Sequence, residues 1–130
     1  MKTIVITGAS DGIGAYSAKQ LKSLGHNVII VGRNKQKTVN LASEINCPYH
    51  LADFSKISDV YRLIEELNAY PTIDVLVNNA GAVMGERTET ENGIEKRRRK
   101  ALAAWLLGRP APLQNAWPRS RTCVTGWYLI

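Results

Sequence analysis

A short strand that runs straight into three closely spaced glycines constrains this chain more than any other feature. The apolar stretch Thr3-Ile4-Val5-Ile6 leads directly into Thr7-Gly8-Ala9-Ser10-Asp11-Gly12-Ile13-Gly14. Gly-x3-Gly-x-Gly between a strand and a helix start makes a turn able to receive a dinucleotide pyrophosphate. Gly8 permits the sharp exit from the strand, and Gly12 removes a side chain that would block the phosphates. Gly14 lets the helix lie close on the sheet. The helix N-terminus then presents free N–H groups and the positive end of its dipole. Such turns also occur for packing alone, so the strand before and the helix after this one matter as much as the glycines.

From this turn to about residue 95 the chain alternates strand and helix. The first strand covers roughly Lys2–Thr7 and the first helix Gly12–Leu24, with Ile13, Ser17, Leu21 and Leu24 at helical spacing and Gly25 as its stop. Asn27-Val28-Ile29-Ile30-Val31 has the unbroken β-branched character of a strand covered on both faces. A polar helix is expected over Lys35–Ile45 and a short strand over Tyr49–Ala52. Ser55 is placed to cap a third helix bearing Ile57, Val60, Tyr61, Ile64 and Leu67, and Asp74-Val75-Leu76-Val77 reads as a fourth strand. Strands alternating with helices imply right-handed βαβ units and a parallel sheet. The fold class is therefore α/β, a Rossmann-like doubly wound parallel sheet truncated after about four strands.

Three further positions fit a dinucleotide. The end of the second strand lies beside the adenosine ribose, where an acid binds a free 2′-hydroxyl and a base accepts a 2′-phosphate. This chain has Gly32-Arg33-Asn34, followed by Lys35 and Lys37 with no acid nearby in sequence. A guanidinium suits bidentate phosphate contact, so Arg33 argues for NADP(H) over NAD(H), the alternative being a solvated arginine in a turn. Asp53, ending the third strand, can accept from the adenine amino group or share a helix cap with Ser55, and both uses stay open. Asn78-Asn79-Ala80-Gly81 brings amides and small side chains to the end of the fourth strand, although alone it is equally an ordinary strand exit.

Together these residues resemble the short-chain dehydrogenase/reductase family, in its order and at its spacing, with the NADP-dependent, retinol-dehydrogenase-like branch the closest in character. Glu86-Arg87-Thr88 through Thr90-Glu91-Asn92-Gly93-Ile94-Glu95 also looks like the family's lead-in to its fourth helix. The resemblance implies that Gly8, Ser10, Gly12, Ile13 and Gly14 line the pyrophosphate and adjoining ribose. It implies that Arg33 and Asn34 face the 2′-phosphate, that Asp53 and Phe54 flank adenine, and that Asn79, Ala80 and Gly81 approach the ribose and nicotinamide. Asp11 is expected to point away from phosphate and to aid the helix start.

The resemblance further implies hydride transfer between NADP(H) and a small alcohol or carbonyl substrate. The family's chemistry uses a tyrosine as acid/base, a lysine four residues later, a substrate-positioning serine and an asparagine on the fourth helix. No Tyr-x3-Lys occurs in these 130 residues. Tyr16 with Lys19 has the wrong spacing, Ser10 and Ser120 have no such pair to serve, and Asn115 lies too far along. No catalytic residue is assigned, and the chain by itself is expected to be inactive. The alternative is a non-catalytic module that senses or scaffolds around the cofactor.

Past Glu95 the composition changes. Residues 1–95 carry 9 basic and 11 acidic residues, whereas 96–130 carry 8 basic residues, no acid and all three tryptophans. The overall charge of +6 is thus a property of the tail. We therefore divide the chain into a 1–95 NADP-binding half-domain and a 96–130 basic, Trp/Pro/Arg-rich tail. Lys96-Arg97-Arg98-Arg99-Lys100 stands where the family packs an apolar helix, and each unpaired buried charge costs several kcal/mol, so five would exceed a domain's roughly 5–15 kcal/mol. The run must face solvent or an anion. Ala101–Leu107 is expected to form a short helix with Leu102, Trp105 and Leu106 on one side. Gly108, Pro110, Pro112 and Pro118 then interrupt regular structure, so the tail is expected to be irregular or partly helical and poorly ordered.

Two origins for the tail stay open: a contact for nucleic acid or acidic membrane, or a reading frame lost near Lys96. Arginine codons CGT-CGC-CGT before AAA, shifted one base, read Val-Ala-Val, the apolar text a buried helix needs. A basic nucleic-acid binder ranks third among the functions. The opening residues lack the pattern of a signal peptide, and no apolar run approaches the roughly 20 residues of a membrane span. Cys47 and Cys123 form neither a disulfide framework nor a metal-ligand spacing, so reduced thiols in the cytoplasm are expected, with no metal. A four-stranded sheet without its second half would leave an exposed edge open to self-association.

Overall fold

The computed structural model describes residues 1–80 and the backbone of residues 122–125. In chain order the elements are β1 (Thr3–Thr7), α1 (Gly12–Ser23), β2 (Asn27–Gly32), α2 (Lys35–Ile45), β3 (Tyr49–Leu51), α3 (Ile57–Asn68), β4 (Val75–Asn78) and β5 (Thr122–Thr125). Every strand pairs in parallel, in the order β3-β2-β1-β4-β5.

Alternate side chains of a strand leave on opposite faces, and here both faces are covered. Val5, Ile29, Val31 and Leu76 pack under α3, against Val60, Leu63, Ile64 and Leu67. Ile4, Ile6, Val28 and Ile30 pack on the other face, against Ala18 of α1 and Leu41 and Ala42 of α2. This explains the unbroken apolar runs: in the middles of β1 and β2, Ile4–Ile6 and Val28–Val31, there is no side for a polar residue. At the edge, His50 of β3 holds Glu66 Oε2 through Nδ1 at 2.7 Å and meets the Tyr70 hydroxyl through Nε2 at 3.0 Å, tying the short strand to α3.

The helices differ from the periodicity in instructive ways. The buried residues of α1 are Gly14 and Ala18, while Ile13 and Leu24 stand 57% and 71% exposed. A helix that lies this close to its support buries its smallest side chains, so the larger apolar residues beside them turn outward. On α3 the buried face is Val60, Leu63, Ile64 and Leu67, and Tyr61 is exposed. Ser55 does not cap α3. The helix begins after Lys56 with no side-chain cap, because Asp53 captures both the Ser55 N–H (2.9 Å) and its hydroxyl (2.7 Å) in a tight turn. Asp59, in the first turn, reaches back to accept the Asp53 N–H at 2.8 Å. Gly25 ends α1 with φ of +85°, the left-handed conformation its place as a stop requires.

Four strands stand where the sequence puts them, and a fifth comes from the tail. Thr122-Cys123-Val124-Thr125 pairs along the outer edge of β4, its β-branched composition suiting a strand. The expected Ala101–Leu107 helix, the basic run and the expected irregularity elsewhere in the tail lie outside the described residues.

The chain lays β1, β2 and β3 in one direction, then crosses through α3 and returns to place β4 on the other side of β1. The order reverses between β1 and β4. In an open parallel sheet a crevice forms at that reversal, outside the carboxyl ends of the strands.

Candidate functional site

The carboxyl ends of β1 and β4 are laced together by Thr7. Its side chain is fully buried, and its hydroxyl accepts the N–H groups of Asn79 and Ala80, each at 3.1 Å, while donating to Val77 O at 3.3 Å. The Asn79 side-chain amide donates to Gly8 O at 3.3 Å. These bonds bring the glycine turn and the end of β4 into contact. Gly8 has φ of +66°, and a Cβ placed there would sit 2.7 Å from Ala80 Cα. A Cβ on Gly14 would collide with Gly8 O and the Asn79 amide. Two of the three glycines thus serve close approach of backbone to backbone.

Gly12 is different. It has φ of +56°, yet a Cβ there would meet nothing within 4 Å. The space beside it is open, at the first residue of α1, where helix N–H groups are directed outward. Asp11 caps this helix, its Oδ1 accepting the Gly12 N–H at 2.8 Å, as expected for a residue that aids the helix start. Ile13 is exposed on the same turn.

The turn also lies against the end of β2. Ala9 N–H donates to Val31 O at 3.1 Å, and a Cβ on Gly32 would sit 3.0 Å from Ser10 Cβ and collide with the Thr38 hydroxyl. Thr38 is fully buried and donates to Asn34 O at 2.7 Å. Asn34 caps α2, its side-chain oxygen accepting the Lys37 N–H at 3.0 Å. Arg33 is exposed beside it. The acid that the sequence does not bring near this strand end arrives from the turn, since Asp11 Oδ2 pairs with Lys37 Nζ at 2.5 Å. That ion pair and the Gly12 N–H hold the Asp11 carboxyl below its ordinary pKa.

Asp53 stands half-buried at the end of β3. Burial alone would raise its pKa, but the two Ser55 bonds and the charges of Arg33 and Lys56 outweigh it and keep the carboxyl below its ordinary range. The Phe54 side chain, 6% exposed, packs in the core with Val60, Leu63 and Ile64, so only its backbone faces the end of the sheet. Gly81 lies outside the described residues.

The described structure therefore brings Gly8, Ser10, Gly12, Ile13, Gly14, Arg33, Asn34, Asn79 and Ala80 to one end of the sheet, with Asp53 beside Arg33. Sequence reasoning missed Thr7 and Gly32 as parts of this framework. Thr7 had a signal, because a hydroxyl ending a buried apolar strand must find partners inside. Gly32 had none, since its need comes from Thr38 on the following helix. The cluster is a rim with open space beside Gly12 and the exposed Arg33 at one end, and its Ala9, Gly12, Asn79 and Ala80 N–H groups bond within the chain. Such a rim suits an extended anionic ligand. Among the described residues no group of acidic, His or Cys side chains could hold a metal ion, and no helix is long and apolar enough to cross a membrane.

Known proteins share both the sequence pattern and the fold. The family model for short chain dehydrogenase matches residues 2–102. Dehydrogenase/reductase SDR family member 12 of Bos taurus is 30% identical over 102 residues, covering 73% of this chain and 32% of that protein. The inactive hydroxysteroid dehydrogenase-like protein 1 of Pongo abelii is 39% identical over 83 residues, covering 59% of this chain and 25% of that protein. A short-chain dehydrogenase from Sphingobium yanoikuyae in complex with NADPH superposes with a TM-score of 0.77 at 27% identity, over 96% of this chain and 52% of that one. The chain spans 32% to 42% of the length of the first curated relatives it matches.

Proposed function

The chain belongs to the short-chain dehydrogenase family, and from that premise we propose that residues 1–95 hold NADP(H) across the carboxyl ends of β1 and β4. The observation that carries this reading is the open space beside Gly12, at the N-terminus of α1, exposed where the strand order reverses. A pyrophosphate there meets backbone N–H groups and the positive end of the helix dipole. Arg33 takes the 2′-phosphate with Asn34 beside it, Asp53 accepts from the adenine amino group, and Asn79, Ala80 and Gly81 guide the nicotinamide half. The NADPH-bound relative supports the choice of phosphate-bearing cofactor.

Bound NADP(H) supplies the hydride donor or acceptor, and in a full-length relative the partner is a small alcohol or carbonyl compound. Within this chain the residues bind and orient the cofactor. The Asn79 amide and the Thr7 hydroxyl keep the end of β4 at a fixed distance from the glycine turn, so the groove keeps its shape when empty. The chain has no Tyr-x3-Lys to move a proton, and we assign it no turnover of its own. A non-catalytic cofactor sensor or scaffold is the second reading, favoured by the similarity to a relative named inactive. We also place the protein in the cytoplasm, of the NADP-linked, retinol-dehydrogenase-like kind, with an exposed sheet edge as the route to self-association and no nucleic-acid partner.

Titration with NADPH and NADH tests the proposal. Tighter binding of NADPH, reversed in Arg33→Glu, is the expected result; equal affinities, or none, overturn it. Turnover of generic alcohols or aldehydes by this chain with NADP(H) refutes the assignment of binding without chemistry. Tight DNA binding with a steep salt dependence would replace it by the basic-tail reading.

A further inference from the structure

Asp11 is a negative charge on the rim of a groove that receives phosphates. It follows Ser10, whose Cβ lies close to where a Gly32 side chain would stand, so the acid is carried over the end of β2. There Lys37 Nζ meets its Oδ2 while Oδ1 stays on the Gly12 N–H. Lys37 is held from the other side as well, since its own backbone N–H is bound by the Asn34 cap. The pair thus joins the glycine turn to the first turn of α2, beside Arg33. Both side chains are largely exposed, so the pair is worth little to folding.

We propose that Lys37 is a specificity-determining residue, neutralising Asp11 so that the rim beside Arg33 accepts a 2′-phosphate. The inference rests on the NADP(H) reading of the site and adds to it the reason an acid is tolerated in the phosphate turn. Asp11 serves the helix as its cap, and its charge would repel a dianionic phosphate nearby. Lys37 cancels that charge locally. An NADH ribose bears no 2′-phosphate and feels the exchange of these charges much less.

The test compares Lys37→Gln, Asp11→Asn and the double variant by titration with NADPH and with NADH, read by nicotinamide emission in low salt. Asparagine caps helices as well as aspartate, so the start of α1 is preserved. Lys37→Gln is expected to weaken NADPH by about three- to fivefold, the range of an exposed charge contact, and NADH by less than twofold. Adding Asp11→Asn is expected to restore NADPH affinity to within twofold of the unmodified chain. The Lys37→Gln effect is expected to shrink in about 1 M salt, where screening acts within about 3 Å. An NADPH affinity unchanged by Lys37→Gln overturns the inference. A double variant as weak as Lys37→Gln also overturns it, by making Lys37 a direct phosphate ligand. If the unmodified chain shows no preference for NADPH, the failure lies in the underlying reading of the site and this inference falls with it.

Discussion

Thr7→Val removes one oxygen from the centre of the framework while nearly keeping the volume of the side chain. The Thr7 hydroxyl is the acceptor for both Asn79 and Ala80 N–H. Asn79 N–H has a second acceptor in Val77 O at 3.1 Å, so the larger loss falls on Ala80. A donor stripped of its acceptor inside a protein costs about 1–3 kcal/mol, and the weakened Asn79 bond adds a fraction of that. We expect Thr7→Val to lose about 2–3 kcal/mol and Thr7→Ser, which keeps the hydroxyl and gives up one buried methyl, about 1 kcal/mol. Urea unfolding followed by far-UV circular dichroism measures both. With a urea dependence of about 1–2 kcal/mol/M for a domain of this size, Thr7→Val moves the midpoint down by about 1–3 M and Thr7→Ser by about 1 M or less. The ordering is the discriminating result. If apolar burial governed this position, valine would be harmless and serine the worse substitution. Thr7→Val as stable as the unmodified chain, or more stable than Thr7→Ser, would refute the role of the hydroxyl as a lace between the two strands.

Gly8→Ala forces a side chain into a left-handed conformation and against Ala80 Cα; it is expected to destabilise by more than about 1–2 kcal/mol and to weaken NADPH more than tenfold, both read in one titration and unfolding series. Leu63→Ala, at a fully buried position under β1 and β2, is expected to cost about 2–5 kcal/mol in urea unfolding. Asp53 has a folded-state pKa below its ordinary value, so its contribution is complete above the ordinary carboxylate range and is lost as pH falls through the lower folded value. The stability difference between the unmodified chain and Asp53→Asn should therefore shrink from pH 7 to pH 3, and a gap that widened on acidification would contradict the sign. Burial raises the pKa of the half-buried Cys47 thiol, so in a Cys123→Ser background iodoacetamide should label it more slowly at pH 8 than it labels a free cysteine.

Much of the fold was legible because parallel strands covered on both faces must be apolar throughout. Ile4-Val5-Ile6 and Val28-Ile29-Ile30-Val31 leave little else to become. The polar helix expected over Lys35–Ile45 stands at those bounds, and the structure adds Asn34 as its cap. The packed faces of α1 and α3 were less legible, because apolar spacing marks a stripe and the distance to the sheet selects which residues of it are buried. Gly14 and Ala18 displaced Ile13 and Leu24 for that reason. Ser55 was misplaced by a competing local turn, in which Asp53 takes both its N–H and its hydroxyl.

By itself the sequence determined the alternation of strand and helix, the sharp turn at Gly8 and the basic side chain at the end of β2, since each follows from local sterics, period or charge. Only the tertiary structure decided which groups share the groove. It set Gly8 against Ala80, closed Gly32 onto Thr38, turned Phe54 into the core and brought Asp11 to Lys37. Those relations are made when strands fold side by side and turns meet at their ends; Asp11 and Lys37 stand 26 residues apart and Thr7 and Ala80 73, too far to leave a local trace.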